Sequence, residues 1–267
     1  MNDERVGIFD SGIGGLTVAA AILRALPDER VLYVGDTARV PYGPKSPDTV
    51  RRYSEQIATW LLDQHVKAIV IACNTATAHA LDTLRRDMPV PVIGVVQPGA
   101  RAAVGATRNG RIGVIGTTGT INSGAYHRAI AALAVNATVL GVACPMFVPL
   151  VEEGWLDHPA TQLIAETYLA PMRDAGIDTL VLGCTHYPLL APIITDVIGP
   201  GVTLVDSAAE TAIALHDVLH QQGLQASGAS VGLGHRFVAT DAPDAFRRVG
   251  QRFLGPALDH VETTVFA

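Results

Sequence analysis

A chain of 267 residues, 49% hydrophobic and 16% charged, holds enough apolar surface for one large or two small folded domains, which excludes an intrinsically disordered protein. A net charge of −6 leaves no broad basic face for nucleic acid, and no apolar run approaches the ~20 residues that a membrane span needs. Three cysteines, an odd number without close pairing and without an export signal, predict free thiols in a reducing cytoplasm; neither C-x-x-C nor H-E-x-x-H is present to hold zinc.

A strand is predicted over residues 6–9, then the loop Asp10-Ser11-Gly12-Ile13-Gly14-Gly15 and an Ala-rich helix over 16–26. The loop fits neither nucleotide-binding glycine pattern, yet a Gly/Ser loop opening a helix is an anion cradle. A strand over 31–34 leads through Gly35-Asp36-Thr37-Ala38-Arg39 into the ordered turn Val40-Pro41-Tyr42-Gly43-Pro44. An amphipathic helix over 48–64 carries Val50, Tyr53, Ile57, Trp60 and Leu61 on one side. The apolar run Ile69-Val70-Ile71-Ala72 then stops at Cys73-Asn74-Thr75, followed by a helix over 75–86, a strand over 92–96 and a crossing at Gln97-Pro98-Gly99.

The second half restarts on the same plan. Arg111-Ile112-Gly113-Val114-Ile115 mirrors Arg5-Val6-Gly7-Ile8-Phe9, and Gly116-Thr117-Thr118-Gly119-Thr120 stands where the 10–15 loop stood. A helix over 123–133, a strand over 137–143 ending at Cys144-Pro145, the segment 147–153 with Glu152-Glu153, and a helix over 160–175 precede Leu180-Val181-Leu182-Gly183, which stops at Cys184-Thr185-His186. A strand over 202–206, a helix over 208–221, a Gly/Ser-rich mobile loop over 223–234, a strand over 236–239 and a helix over 244–254 complete the chain. The tail has no βαβ series of its own and is expected to pack on the first lobe. The fold class is α/β: two similar lobes, each a mainly parallel sheet flanked by helices, related by a pseudo-twofold axis with the active site between them. The boundaries are 1–96 plus 208–267 for the first lobe and 97–207 for the second.

Ligands of parallel α/β sheets bind beyond the carboxyl ends of the strands. Two strand-end thiols, one per half, therefore mark a site with sulfur on either wall. A helix start lowers a thiol pKa from its usual ~8.5, and both turns are read as placing sulfur at one. A thiolate and a thiol on opposite faces of a bound carbon can remove and return a proton, which inverts a stereocentre. Cys144, between a strand and a proline, reads as buried and inert. Asp10 also fits a plain helix cap, His186 a packed strand-end histidine, and Glu152 a solvated face. A pyridoxal-phosphate racemase needs a Schiff-base lysine, and only Lys45 and Lys67 exist, neither in a phosphate-cup motif.

On these residues the chain resembles the glutamate racemases, cofactor-independent enzymes that supply D-glutamate for peptidoglycan. The resemblance is carried by Gly7-Ile8-Phe9-Asp10-Ser11-Gly12-Ile13-Gly14-Gly15-Leu16-Thr17-Val18, Gly35-Asp36-Thr37-Ala38, Pro41-Tyr42-Gly43 and Ala72-Cys73-Asn74-Thr75-Ala76-Thr77-Ala78. In the second half it is carried by Cys144-Pro145, Phe147-Val148-Pro149-Leu150-Val151-Glu152-Glu153-Gly154 and Gly183-Cys184-Thr185-His186-Tyr187-Pro188-Leu189. It implies that Cys73 and Cys184 are the acid–base pair, with Asp10 assisting Cys73, and Glu152 and His186 assisting Cys184. It also implies that Asp10, Ser11, Tyr42, Gly43, Asn74, Thr75, Thr185 and His186 contact a glutamate substrate, with no cofactor and no metal. Such enzymes form homodimers in more than one arrangement, so a homodimer is compatible with the resemblance. Aspartate racemases and the maleate- or hydantoin-type relatives tend to carry Glu after the second Cys-Thr, where this chain has His186. A non-catalytic amino-acid-binding module is the reading from another class, and the retention of both thiols argues against it.

Overall fold

Short β-branched runs bounded by glycine-rich loops are the pattern of strands buried on both faces of a parallel sheet. The computed structural model describes residues 4–226 and 234–266. In chain order the first half contains β1 (Arg5–Asp10), α1 (Leu16–Ala25), β2 (Val31–Gly35), α2 (Pro47–Asp63), β3 (Val66–Ile71), α3 (Asn74–Asp87) and β4 (Val92–Gly94). The second contains α4 (Val96–Ala106), β5 (Arg111–Gly116), α5 (Thr118–Asn122), α6 (Ala125–Leu133), β6 (Thr138–Ala143), α7 (Phe147–Glu153), α8 (Pro159–Asp174), β7 (Thr179–Gly183), α9 (Ala191–Ile198) and β8 (Thr203–Asp206). The chain ends with α10 (Ser207–Gln221), β9 (Arg236–Ala239), α11 (Pro243–Leu254) and β10 (Glu262–Thr263).

The strands form two parallel sheets, ordered β10-β9-β2-β1-β3-β4 and β6-β5-β7-β8. The order β2-β1-β3-β4 thus recurs as β6-β5-β7-β8, as a duplication requires. The registers agree too: Phe9 faces Ile71 in the first sheet and Ile115 faces Leu182 in the second. Two steps beyond these pairs lie Ser11 with Cys73 and Thr117 with Cys184. The tail joins the first sheet through β9, which pairs with β2.

Helices cover both faces of each sheet. In the first, Leu16 and Ile22 of α1, Leu215 and Leu219 of α10 and Phe246 of α11 share one core, while Ile57 and Leu61 of α2 and Leu84 of α3 share the other. In the second, Leu150 of α7, Leu169 of α8 and Ile194 of α9 pack on one face, and Ala100 of α4 and Ile130 of α6 on the other. Burying each such large side chain stabilises the fold by roughly 1.5–3 kcal/mol.

Three expectations change, and one is not reached. Gln97, Pro98 and Gly99 form part of the first turns of α4, where Pro98 removes an N–H that the helix start leaves unpaired in any case. The helix expected over 123–133 starts at Ala125, and an additional short helix, α5, precedes it: Gly124 takes φ +65°, a left-handed value that separates the two. No helix opens directly after Cys184; a 3-10 turn over Tyr187–Leu190 intervenes before α9. Most of the loop expected over 223–234 lies outside the described residues. Among the described residues no helix is long and apolar enough to cross a membrane.

Candidate active site

The first wall begins where β3 ends. Cys73 becomes the N-cap of α3, its Sγ accepting the Ala76 N–H at 3.4 Å. The Cys73 thiol also donates to the Ser11 hydroxyl at 3.7 Å. Burial and the Asp10 charge nevertheless push this thiol up to about 12, against the Ala76 N–H and the Ser11 hydroxyl. The lowering expected from the helix start is overturned, because desolvation of a thiolate outweighs two weak donors. Asp10 is 1% exposed and lies behind the wall, with Oδ1 accepting the Gly12 N–H at 2.9 Å. Its Oδ2 is buried without a hydrogen-bond partner among the described residues, and burial raises its pKa.

The second wall is built from β7 and α7. His186 Nδ1 lies 3.9 Å from the Cys184 sulfur, and its Nε2 lies 2.9 Å from Oε1 of Glu152, near the end of α7. Burial opposes an imidazolium here, but the hydrogen bonds and charges of Cys184 and Glu152 prevail and push His186 up to about 10. The ring is held between a sulfur and a carboxylate, both of which favour its protonated form. Thr17 of α1 donates its hydroxyl to the Thr185 carbonyl at 2.7 Å, tying this turn to the first half. Gly14 makes that approach possible: a Cβ there would stand 2.3 Å from Thr185 Oγ1 and 2.4 Å from His186 Nδ1.

Both sulfurs open onto one cavity of about 360 Å³. Ser11, Tyr42, Gly43, Asn74, Thr75, Glu152, Thr185 and His186 share its walls, so of the expected site residues only Asp10 stands back from the surface. The Tyr42 hydroxyl is already committed: it donates to the buried Asp36 carboxylate, which also accepts from Arg39 and Thr240. Tyr42 therefore anchors the 40–44 loop over the cavity. Asn74 Oδ1 accepts the Tyr126 hydroxyl at 2.7 Å, which leaves its Nδ2 buried and without a partner among the described residues. Thr117 and Thr118 also line the cavity, and the residue reading did not name them. Their signal was the duplication, since Thr117 occupies beside Cys184 the register position that Ser11 occupies beside Cys73. Thr75 Oγ1 meets Thr117 Oγ1 at 2.8 Å, and Gly119 donates its N–H to the Gly43 carbonyl at 2.8 Å, so the two halves are stitched along the cavity edge. Among the described wall residues there is no Lys or Arg.

A model of the Asp/Glu/Hydantoin racemase family matches residues 14–215. The chain belongs to that family. A glutamate racemase of Geobacter metallireducens is 54% identical over 258 residues, which cover 97% of this chain and 95% of that one. The crystal structure of glutamate racemase isoform RacE1 from Bacillus anthracis superposes with a TM-score of 0.93 at 40% identity, covering 100% of this chain and 98% of its own. That of the Francisella tularensis glutamate racemase in complex with D-glutamate gives 0.92 at 37% identity, with 100% and 99% covered.

Elsewhere in this racemase, an isomerase by class, Cys144 is fully buried, away from the cavity wall, and burial pushes its thiol up. Its carbonyl accepts the Tyr187 hydroxyl at 2.8 Å, a packing role. Lys67 is buried against Glu29 at 2.6 Å, and Lys45 lines a neighbouring cleft; neither is a wall residue of the cavity.

Proposed function

We propose that this racemase interconverts L- and D-glutamate without a cofactor, by proton transfer at Cα between Cys73 and Cys184. The observation that carries the reading is a pair of thiols at the ends of equivalent strands, one from each sheet, opening onto one cavity. Glutamate is favoured as substrate by the relatives named for it and by the neighbour holding D-glutamate. His186, in place of the Glu that aspartate- and hydantoin-type relatives tend to carry, points the same way.

The α-proton of a free amino acid is weakly acidic, so the barrier falls chiefly through hydrogen bonds to the carboxylate that gathers charge. The unused Asn74 Nδ2 is such a donor, and Ser11, Thr75, Thr117 and Thr185 stand on the same walls. Protonated His186, with Nδ1 3.9 Å from the sulfur, is placed to stabilise negative charge at Cys184, while burial disfavours a thiolate at Cys73. The Cys184 thiolate takes the Cα proton from one face and the Cys73 thiol delivers one to the other. In the opposite direction the roles exchange, and Cys73 must then be the thiolate. Ionised Asp10 opposes that state, and burial raises the Asp10 pKa, which favours its protonated form beside a charged Cys73. D-glutamate formed this way in the cytoplasm would supply peptidoglycan synthesis. The division into 1–96 with 208–267 and 97–207 is supported by α4 packing in the second half's core and α10 in the first's.

L-Glutamate incubated with the pure protein in heavy water is expected to yield D-glutamate and deuterium at Cα. If neither forms while the thiols are reduced, the reading is wrong. Cys73→Ser and Cys184→Ser should each lower kcat by about 10²–10⁴-fold, the range for loss of an acid–base group. Cys144→Ser should keep most activity, and an equal loss there would displace the assignment.

A further inference from the structure

The segment after β9 belongs to the first sheet, yet two consecutive residues of α11 touch the other half at the Glu152–His186 pair. Arg252 Nη1 donates to the Glu152 carbonyl at 2.7 Å and to the Val151 carbonyl at 3.2 Å, the last turn of α7. Phe253 stands edge-on to the His186 ring, with centroids 5.6 Å apart and planes at 85°. It packs against cores of both halves. Gly154 ends α7 at φ +82°, and a Cβ there would come within 2.9 Å of the Arg252 guanidinium carbon, so the glycine both terminates the helix and leaves room for the cation. A cation on the final carbonyls holds the last turn of a helix, and in a seven-residue helix that turn is half its length.

We infer that Arg252 is a positioning residue: by binding the closing carbonyls of α7 it holds Glu152 at hydrogen-bond distance from His186, so that α11 sets the acid–base behaviour of the Cys184 wall. The inference rests on the two-thiol reading above. His186 is faced by Cys184 from its own turn, by Glu152 from α7 and by Asp10 from the end of β1. The sign of the effect separates positioning from simple charge. Deleting a nearby cation would by Coulomb's law raise the pKa of His186; releasing Glu152 lowers it.

The test compares wild type, Arg252→Gln, Arg252→Lys, Glu152→Gln and the double variant Arg252→Gln/Glu152→Gln. The readouts are kcat and KM for glutamate against pH and, independently of turnover, the His186 imidazole titration by NMR. Arg252 is exposed, so its replacement leaves the cores intact. Arg252→Gln is expected to lower kcat about tenfold with KM little changed and to move both the alkaline limb and the His186 titration to lower pH. Arg252→Lys should recover much of the loss. In the Glu152→Gln background the Arg252 change should add little, because the two act through one contact. An unmoved or upward-shifted His186 titration, or losses that multiply in the double variant, would overturn the inference. Should wild type itself fail to exchange the Cα proton while its His186 titration still responds to Arg252, the reaction assignment fails and the positioning role stands.

Discussion

At Cys73 burial and the Asp10 carboxyl disfavour a thiolate; at Cys184 the sulfur sits beside an imidazole that is paired with Glu152. Sequence grammar alone makes the two thiols look alike, and their neighbours make them chemically complementary. Asn74 is the other residue whose surroundings decide its task. Tyr126 occupies its amide oxygen and leaves the amide nitrogen a buried donor without a partner among the described residues, a costly state that a ligand acceptor would relieve. Asn74→Ala is therefore expected to raise KM for glutamate by about 2–10-fold, equivalent to the 0.5–1.5 kcal/mol of one hydrogen bond. Tyr126→Phe should reproduce part of that rise with little change in fold, as steady-state kinetics and circular dichroism would show. A KM unchanged in both variants would remove Asn74 from the substrate contacts.

Among the elements, the loop between β1 and α1 carries the contact that joins the Cys184 turn to the first half. Its Gly14 sits where the Cys184-Thr185-His186 turn presses on the first half, and Thr17 one turn later binds the Thr185 carbonyl. Gly14→Ala would drive a methyl group into Thr185 and His186, so the turn must retreat. Displacement of a reacting group by about 1 Å costs on the order of 10²-fold in rate, and a kcat loss of that order is the expected outcome for Gly14→Ala. Thermal unfolding of the same variant should change much less, since each half keeps its core. Activity close to wild type would mean that the turn yields without moving His186.

Across the whole molecule, stability depends on how the two sheets and their connections are clamped. Asp178, the residue before β7, accepts from the Thr107 hydroxyl at 2.6 Å and from the Arg108 and Asn109 N–H groups at 2.6 and 2.7 Å, fixing the approach to β5. Burial disfavours its charge, but these donors and the Thr179 hydroxyl outweigh burial and hold its pKa at about 2. The folded value lies below the ordinary carboxylate value of about 3.9. Its contribution is therefore fully present above about pH 4 and is lost as pH falls through about 2. Asp178→Asn places an amide donor against these donors and is expected to lower stability by about 1–3 kcal/mol at neutral pH. In urea unfolding the gap between variant and wild type should narrow on acidification; a gap that widens would contradict the assignment.

The amino-acid sequence by itself determined the parallel strands, the paired thiol turns and the family, because each is written in contiguous residues: β-branched runs, a cysteine closing them, glycines opening the next helix. The start of α4 and the short α5 before Gly124 are not legible locally, since Pro98 at a helix start and glycine between two short helices resemble loop signals. Only the tertiary structure decided that Asp10 lies behind the wall, that the Tyr42 hydroxyl is spent on Asp36, that Thr117 faces Thr75, and that Arg252 reaches α7 from a helix a hundred residues away. Burial, charge and donor pairing depend on distances between segments remote in the chain, and no periodicity encodes those distances before the sheets have formed.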